Sequence, residues 1–254
     1  MHVIAASIDP QLSDLIKEHK NNLEYKNCHL KELEVYAYLH ENNFEYMPAF
    51  YGKHIDTKRE IYLLIQELMD YSSMKIVNSE NHPEHWQRED ILKTIETISK
   101  FHQSVDRTKF VHVEEFSPWQ AKELYKKLIS IIVKENDESN NIPQLKNLLN
   151  DIDNFEEEAK SIQLSKTIIH NDFNPRNIAV SKNGNPLIYD WELAVIDYPQ
   201  RDIVEFLSFV LPTDFKKEDL LFYLNYHFKL NNEVTWDEWL KAYKYSLKVY
   251  IASR

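Results

Sequence analysis

Apolar residues recur at helical spacing over most of the chain, and short β-branched or aromatic runs interrupt that pattern. The helical spacing predicts helices over residues 10–20, 29–41, 89–105, 118–134, 143–162, 203–211 and 215–230, with a last one beginning near residue 235. The interrupting runs predict short strands over residues 23–26, 49–55, 61–65, 167–169, 178–180 and 187–189. The chain is therefore predicted to be mostly helical, with a few strands joined by tight turns such as Asn183-Gly184.

One stretch, from Lys166 to Asp202, groups oxygen-bearing side chains around a predicted strand, loop and hairpin. The strand leads into a polar loop that contains Asp172 and Asn177, and the hairpin that follows ends directly before Asp190. This arrangement brings the three side chains near one another. Mg²⁺ prefers such oxygen ligands and shares its shell with waters and substrate phosphates. Two metal ligands and a further carboxylate as proton acceptor are the minimum that phosphoryl transfer to a hydroxyl requires.

Two other interpretations of this stretch stay open. The first is a surface hairpin with solvated side chains, which is the better explanation for any one of these residues taken alone. The second is a hydrolytic metal site built from His170, Asp172 and Asp190, although no further His or carboxylate cluster stands near them in sequence. The whole ordered series, set between β-branched strands, favours phosphoryl transfer.

The series His170-x-Asp172-x-x-x-x-Asn177, followed by an apolar strand and Asp190, resembles the catalytic and metal loops of the aminoglycoside phosphotransferase and choline kinase superfamily. These enzymes are small-molecule relatives of the protein kinases. The resemblance implies an α+β, bilobal, protein-kinase-like fold. Its N-terminal lobe would be reduced to a short antiparallel sheet, and its C-terminal lobe would be mostly helical.

The resemblance also implies a domain division and a set of roles. Residues 1–70 would form the nucleotide-binding lobe and hinge, and residues 71–254 the helical lobe with the catalytic and metal loops. The roles are a catalytic base at Asp172, magnesium ligands at Asn177 and Asp190, a loop-bracing histidine at His170 and a structural aspartate at Asp202. Asn171 takes the place of the family's usual glycine after the histidine, and Asn also tolerates left-handed backbone.

The implied nucleotide is ATP, and the resemblance places its contacts in the N-terminal lobe. In this family a helix glutamate pairs with a strand lysine that holds the phosphates, and the candidates here are Glu34 and Lys26. Both residues have a plainer interpretation as solvated surface positions. The backbone of Glu67, Leu68 and Met69 would form the hinge against the adenine edge.

Glycine is scarce, and its scarcity limits the kinds of phosphate-binding loop that the chain can form. The chain has two glycines, Gly52 and Gly184, so a GxGxxG or Walker-type loop is excluded, and with it a P-loop or Rossmann fold. The same shortage counts against a complete kinase fold. The chain is then a fragment of a larger kinase, a minimal kinase with another phosphate cover, or a non-catalytic pseudokinase-like binding domain.

The net charge and the cysteine content limit the possible binding partners of the protein and its expected cellular compartment. The net charge of −11 argues against a nucleic-acid partner and is compatible with a cationic small-molecule substrate. Cys28 is the only cysteine, which excludes an intrachain disulfide and indicates a reducing compartment. No signal peptide opens the chain and no apolar run approaches the roughly 20 residues of a membrane helix. We therefore expect a cytoplasmic protein without a membrane partner, whose oligomeric state the sequence leaves open.

These observations together predict an ATP- and Mg²⁺-dependent phosphotransferase that acts on a hydroxyl of an aminoglycoside-, choline- or sugar-like molecule. Protein-kinase activity is a lesser alternative, because Trp191-Glu192 replaces the Phe-Gly that usually follows the metal aspartate there. His102, at the end of a predicted helix, is expected to be a packed structural residue. His82 and His85 lie beside a proline in a polar linker and are expected to be exposed, with metal binding as the rival interpretation.

Overall fold

A computed structural model describes residues 10–135, 142–231 and 234–254. Its α-helices are α1 (Pro10–His19), α2 (Cys28–Glu41), α3 (Arg88–Ser104), α4 (Lys122–Glu135), α5 (Ile142–Asp151), α6 (Phe155–Lys160), α7 (Gln200–Val210), α8 (Lys217–Leu230) and α9 (Trp236–Ser253). Its strands are β1 (Phe50–Asp56), β2 (Ile61–Gln66), β3 (Met74–Ile76), β4 (Thr167–Ile169), β5 (Ile178–Ser181), β6 (Pro186–Ile188) and β7 (Val195–Asp197). The predicted mixture of many helices and few short strands is confirmed.

The first sheet along the chain is an antiparallel hairpin of β1 and β2, in which Asp56 pairs with Ile61 and Lys53 with Leu64. The Asp56 carboxylate closes the hairpin, because it accepts hydrogen bonds from the backbone N–H groups of Lys58 and Arg59 at 3.1 and 3.2 Å. Helix α2 packs against both strands. This part of the chain thus combines a helix and a two-stranded antiparallel sheet.

Two further sheets position the loops that carry the predicted chemistry. Strand β5 lies between β3 and β6, and β4 pairs antiparallel with β7. The turn between β5 and β6 uses Gly184 at φ 75°, a conformation that glycine adopts without steric cost. The loops that follow β4 and β6 therefore meet above a rigid, buried base of short strands.

The segment before α2 differs from its prediction. Residues 23–26 form turns instead of a strand, and Leu23 is buried in a core cluster together with Leu12, Phe116 and Tyr125. Helix α1 packs against α4 in the helical part of the chain. The alternation of apolar and polar residues here reflects tertiary packing and not sheet formation. We propose on this basis that the smaller lobe begins at α2, whereas the predicted division placed residues 1–70 in one unit.

The predicted long helix over residues 143–162 is divided into α5, a single 3-10 turn at Ile152–Asn154, and α6. None of the helices in the three described ranges has the length and the apolar character that a membrane span requires.

Candidate active site

The side chain of Asp172 is held by two amide side chains of its own loop. Its Oδ2 accepts a hydrogen bond from Asn177 Nδ2 at 2.6 Å, and its Oδ1 accepts one from Asn174 Nδ2 at 3.1 Å. The Asp172 carboxylate is 16% exposed, so it can be reached from outside. Since two fixed donors set its orientation, Asp172 is a preorganised carboxylate that retains access to a ligand.

His170 is fully buried and both of its ring nitrogens are occupied. Nε2 lies 2.9 Å from the carbonyl oxygen of Tyr189, an acceptor, so Nε2 carries the proton. Nδ1 then accepts a hydrogen bond from the backbone N–H of Asp172 at 3.3 Å. The ring also packs against Trp191, with ring centroids 4.5 Å apart. His170 therefore ties the loop of Asp172 to the end of β6, as predicted from the resemblance, and has no nitrogen free to move a proton.

Asp202, at the start of α7, also holds the loop of Asp172 in place. Its carboxylate accepts hydrogen bonds from the backbone N–H groups of His170 and Asn171 at 2.9 and 2.8 Å, and lies 2.9 Å from His102 Nε2. Burial alone would raise the pKa of Asp202, but the hydrogen bond and charge of His102, with help from His170 and Asn171, lower it below its ordinary value. Asn171 has φ 61°, the left-handed conformation expected where relatives have glycine.

Asp190 and Asn177 have the features of metal ligands. Asn177 directs its Nδ2 to the Asp172 backbone oxygen and carboxylate, so its Oδ1 stays free to bind a cation. The backbone oxygen of Asn177 accepts a hydrogen bond from the N–H of Tyr189 at 3.1 Å, which fixes the residue preceding Asp190 beside it. Burial raises the pKa of Asp190, and the nearby Asp172 raises it further, against the opposing effects of His170 and Arg176.

Two more carboxyl groups, Glu32 on α2 and Glu192 after Asp190, belong to the same cluster. Burial, followed by the charges of Asp190 and Glu192, raises the pKa of Glu32 to about 7. Burial, Asp190 and Asp172 likewise raise the pKa of Glu192. Carboxylates that raise one another's pKa values form a site that a divalent cation would stabilise. The oxygen donors of Asn177 and Asp190 are of the kind that Mg²⁺ prefers, and water and phosphate oxygens would have to complete its shell. In the described ranges no three of these carboxyl groups converge closely enough to hold an ion by themselves.

We expect the stability of the metal-free protein to fall as the pH rises from about 4.5 through about 7. The pKa of Glu32 is higher in the folded chain than the ordinary value of 4.5, so the unfolded chain loses this proton first and the free energy of unfolding decreases across that interval. Glu32→Gln should remove about 1 kcal/mol of this decrease, after allowance for solvent screening of a half-buried carboxyl. Urea unfolding without Mg²⁺ at pH 5.5 and pH 8 measures it.

The matched control for that experiment is Glu41→Gln, because Glu41 is an exposed carboxylate on the same helix. This variant should keep the full pH dependence of the parent. If Glu32→Gln and Glu41→Gln gave the same dependence, Glu32 would not be a member of the carboxylate cluster.

The ion pair predicted between Lys26 and Glu34 is not formed. Lys26 Nζ binds the Glu114 carboxylate at 2.6 Å, because residues 23–26 pack against the helical part of the chain. The Glu34 carboxylate accepts hydrogen bonds from the backbone N–H groups of Val111 and His112 at 2.7 and 2.9 Å. Neither contact faces Asp190. On α2 it is Glu32, two residues earlier, whose carboxyl interacts with Asp190.

The predicted hinge has one anchored residue and two free ones. The backbone N–H of Glu67 donates to the Ala49 carbonyl oxygen at 2.8 Å, and the Glu67 side chain accepts from the Ala49 N–H at 3.2 Å. Leu68 is 93% exposed and Met69 is partly buried. Within the described chain the backbone of Leu68 and Met69 makes no hydrogen bond. These two residues therefore keep their backbone groups available to a nucleotide base.

The comparison with family models decides which family this site belongs to. The model described as "Phosphotransferase enzyme family" matches residues 20–239, which include both loops and the hinge. The chain belongs to this family. No curated protein sequence matches the chain.

Solved structures of other members share the fold at low sequence identity. An aminoglycoside-3'-phosphotransferase of type VIII matches with a TM-score of 0.57 at 13% identity, covering 88% of this chain and 81% of that one. The AMP-bound complex of spectinomycin phosphotransferase APH(9)-Ia matches with a TM-score of 0.58 at 14% sequence identity, and the match covers 87% of this chain and 72% of that one. APH(3'')-Id from Streptomyces rimosus ATCC10970, in complex with ADP and streptomycin, matches with a TM-score of 0.56 at 9% sequence identity. This match covers 90% of this chain and 84% of that one. These likenesses confirm the predicted α+β, protein-kinase-like fold.

This member of the phosphotransferase family also has a buried ionic network that sequence reasoning missed. The Glu24 carboxylate contacts Arg254 Nη1 at 2.5 Å, Asn171 Nδ2 at 3.1 Å and Arg201 Nη2 at 3.3 Å. Arg254 also donates to the Asn171 carbonyl oxygen and approaches Asp172 Oδ1 to 3.7 Å. The network contacts the loop of Asp172 through the side chain and the carbonyl oxygen of Asn171, whereas Asp202 contacts backbone N–H groups of the loop. No local signal in the sequence identifies Glu24 as a member of it.

The three other histidines whose positions were predicted from the sequence, His82, His85 and His102, lie as expected. His102 is buried with its Nε2 on Asp202, a packed structural position. His82 and His85 are exposed, and with Glu84 they form the one group of three His, Cys, Asp or Glu side chains in the described ranges that could converge on a metal ion. That group lies in the loop before α3 and is separate from the Asp190 cluster.

Proposed function

We propose that this chain is an ATP- and Mg²⁺-dependent phosphotransferase that transfers the γ-phosphate to a hydroxyl of a small molecule. The observation that carries the proposal is the cluster of Asp172, Asn177 and Asp190, in which one carboxylate is held for an acceptor and the other two side chains offer free oxygens. Membership of the phosphotransferase family supports the same reaction class. Nothing in the cluster requires a protein or a nucleic acid as acceptor.

In the transfer that we propose, the acceptor oxygen forms a bond to the γ-phosphorus as the bond from that phosphorus to the bridging oxygen breaks. The electron pair of the broken bond leaves on ADP, and the hydroxyl proton passes to Asp172. Asn177 and Asn174 hold the Asp172 carboxylate in line with the acceptor. Mg²⁺ bound by Asn177 and Asp190 would offset the negative charge of the phosphates. Positioning and electrostatics then supply most of the acceleration.

The nucleotide would lie between the hinge and the Asp190 cluster. The free backbone groups of Leu68 and Met69 support a base contact there. The related structures hold AMP, ADP or GDP, so the family fold accepts purine nucleotides of both kinds in those proteins. We propose ATP as the donor for this chain, and direct competition between ATP and GTP would test that choice.

The acceptor is proposed only as a class: an aminoglycoside-, choline- or sugar-like molecule with a free hydroxyl. Two related structures contain bound streptomycin and kanamycin, which are hydroxyl-bearing molecules of that class. A screen of pooled hydroxylated metabolites for ATP-dependent loss of signal would identify the acceptor of this chain. The net charge of −11 gives a mild preference for cationic compounds in the first pool.

We expect millimolar ATP with Mg²⁺ to raise the melting temperature by about 5–10 °C, and ATP without Mg²⁺ to raise it clearly less. A ligand present at about 100 times its Kd stabilises a protein by about 2.7 kcal/mol, which corresponds to this shift for a chain of this size. Because Asp190 and Asn177 act through the metal, Asp190→Asn should abolish the difference between the two conditions. A thermal-shift assay measures the melting temperature of the parent with ATP in the presence and absence of Mg²⁺, and of Asp190→Asn under the same two conditions.

The competing function is a non-catalytic, pseudokinase-like binding domain on the same fold. It is favoured by one observation, which is that Lys26 pairs with Glu114 and leaves the carboxylate cluster without a lysine. A Mg²⁺-dependent thermal shift without ATP hydrolysis or acceptor phosphorylation would establish that function. The absence of any shift at millimolar ATP would overturn both proposals.

A further inference from the structure

Arg176 occupies a distinctive place in the loop that joins the proposed base to the proposed metal ligand. It is the one exposed residue between His170 and Val180, in a segment that is otherwise buried or nearly so. Its Nη2 lies 3.5 Å from Asp172 Oδ2, and its charge lowers the pKa of Asp190. The Arg176 guanidinium therefore lies beside Asp172 and acts electrostatically on Asp190. The other arginine near Asp172 is Arg254, and its guanidinium is held by the Glu24 carboxylate.

No lysine takes this place. Lys26 binds Glu114, Lys31 donates to the Glu24 carbonyl oxygen at 2.8 Å, and Lys53 lies 3.4 Å from the Leu33 carbonyl oxygen. Residues 1–9, 136–141 and 232–233, which lie outside the described ranges, contain neither Lys nor Arg. Arg176 is also the only Lys or Arg among the groups that shift the pKa of Asp190 in the described chain.

The charge balance of the site calls for such a cation. Four carboxyl groups, those of Glu32, Asp172, Asp190 and Glu192, interact electrostatically within one cluster, and a triphosphate bound beside Asp190 would add further negative charge. One divalent metal ion does not neutralise both this cluster and the phosphates. A guanidinium offers paired N–H donors in a planar fork that matches phosphate oxygens, and it remains charged at every relevant pH.

The present partner of Arg176 can be exchanged. Arg176 Nη1 binds the Glu80 carboxylate at 3.1 Å, with 55% of the Arg176 side chain and 32% of the Glu80 side chain exposed. Exposed ion pairs of this kind contribute little to stability, so a phosphate can replace Glu80 at low cost. The 3.5 Å separation from Asp172 exceeds an ordinary hydrogen bond and leaves the guanidinium free to turn.

We propose that Arg176 binds the transferring phosphoryl group of ATP, in the role that the resemblance assigned to a strand lysine. This inference rests on the proposed function, because it requires ATP between Asp172 and Asp190. Arg176 would bind the terminal phosphate oxygens in the ground state and bind them more tightly as charge develops on them during transfer. The adenosine end of the nucleotide would be unaffected by it.

The test uses the full chain and measures two quantities for Arg176→Gln and Arg176→Lys. Calorimetry gives the Kd for AMP and for Mg²⁺-AMPPNP, and steady-state ADP release gives kcat for Mg²⁺-dependent ATP hydrolysis with water as acceptor. Arg176→Gln should weaken AMPPNP binding at least tenfold, keep AMP binding within about twofold, and lower kcat by about 10²–10³. Arg176→Lys should have an AMPPNP affinity and a kcat between those of the parent and Arg176→Gln, because lysine keeps the positive charge but lacks the paired N–H donors of the guanidinium.

Glu80→Gln distinguishes phosphate binding from a structural tie, since it removes the partner and leaves the guanidinium. Glu80→Gln should keep kcat and AMPPNP affinity within about threefold of the parent, and so should Arg107→Gln, a matched change at an exposed arginine. Unchanged AMPPNP affinity in Arg176→Gln, or an equal loss in Glu80→Gln, would overturn the inference while the proposed function stands. A parent chain that binds no Mg²⁺-AMPPNP would overturn both.

Discussion

Asp172→Asn should lower the rate of phosphoryl transfer by about 10²–10⁴ and leave the affinity for Mg²⁺-ATP within about threefold. The side chain keeps its shape but can no longer accept the acceptor's proton. The nucleotide is expected to contact Asn177, Asp190 and the hinge, none of which is altered. Removal of one negative charge beside the phosphates should, if anything, tighten nucleotide binding slightly. ATP hydrolysis or acceptor phosphorylation gives the rate, and calorimetry gives the affinity.

Asp214→Asn is the matched control, since Asp214 is an exposed aspartate in the turn before α8. It should leave both the rate and the affinity unchanged. A rate in Asp172→Asn equal to that of the parent would show that Asp172 is not the base. A loss of nucleotide affinity as large as the loss of rate would instead assign Asp172 to nucleotide binding.

The approach of Asp172, Asn177 and Asp190, to which we assign catalytic and metal-binding roles, could be anticipated from the sequence because the geometry of their loops is local. Asp172, Asn177 and Asp190 belong to one strand, one loop and one hairpin, so their approach follows from short-range rules on turns and strand pairing. The left-handed backbone at Asn171 follows in the same way from the residues that tolerate it. Sequence reasoning reaches the conformation of this loop because the chain itself, over a few residues, fixes the direction of each side chain.

The surroundings of that loop could not be predicted, because they depend on residues far apart in the chain. Glu24 and Arg254 are 230 positions apart, and nothing near either one indicates the other. The position of Lys26 depends on the packing of Leu23 against α4 and α9, a tertiary contact that overrides the local strand pattern. Strands β3 and β7 were also missed, because each pairs with a strand that is not its neighbour in the chain and no hairpin turn adjoins either one.

The loop of Asp172 therefore combines a locally encoded conformation with supports from distant elements. Asp202 on α7 holds the backbone N–H of Asn171, and the Glu24–Arg254 pair holds the Asn171 side chain and carbonyl oxygen. A loop with one exposed residue between His170 and Val180 has few ways to relax when a support is lost. The supports should thus affect stability strongly, and affect activity through the orientation of Asp172.

The largest effect on stability is expected from Asp202→Ala, which should lower the free energy of unfolding by roughly 3–5 kcal/mol. The change removes the acceptor for two backbone N–H groups, those of His170 and Asn171, and for His102 Nε2, all of them buried. Because the pKa of Asp202 is lowered in the folded chain, its contribution is present at neutral pH and is lost as the pH falls below the ordinary value of 3.8. The deficit of the variant should therefore be larger at pH 7 than at pH 3.

Urea unfolding of the parent, Asp202→Ala, His102→Gln and the double variant at both pH values completes the experiment. The double variant should lose less than the sum of the single losses, since the two side chains share one buried contact. Asp237→Asn, an exposed change in the first turn of α9, should stay within about 0.5 kcal/mol. Additive losses, or a deficit in Asp202→Ala no greater than in Asp237→Asn, would mean that the catalytic loop is held without Asp202. In that case the Glu24–Arg254 pair would be sufficient to fix the orientation of Asp172.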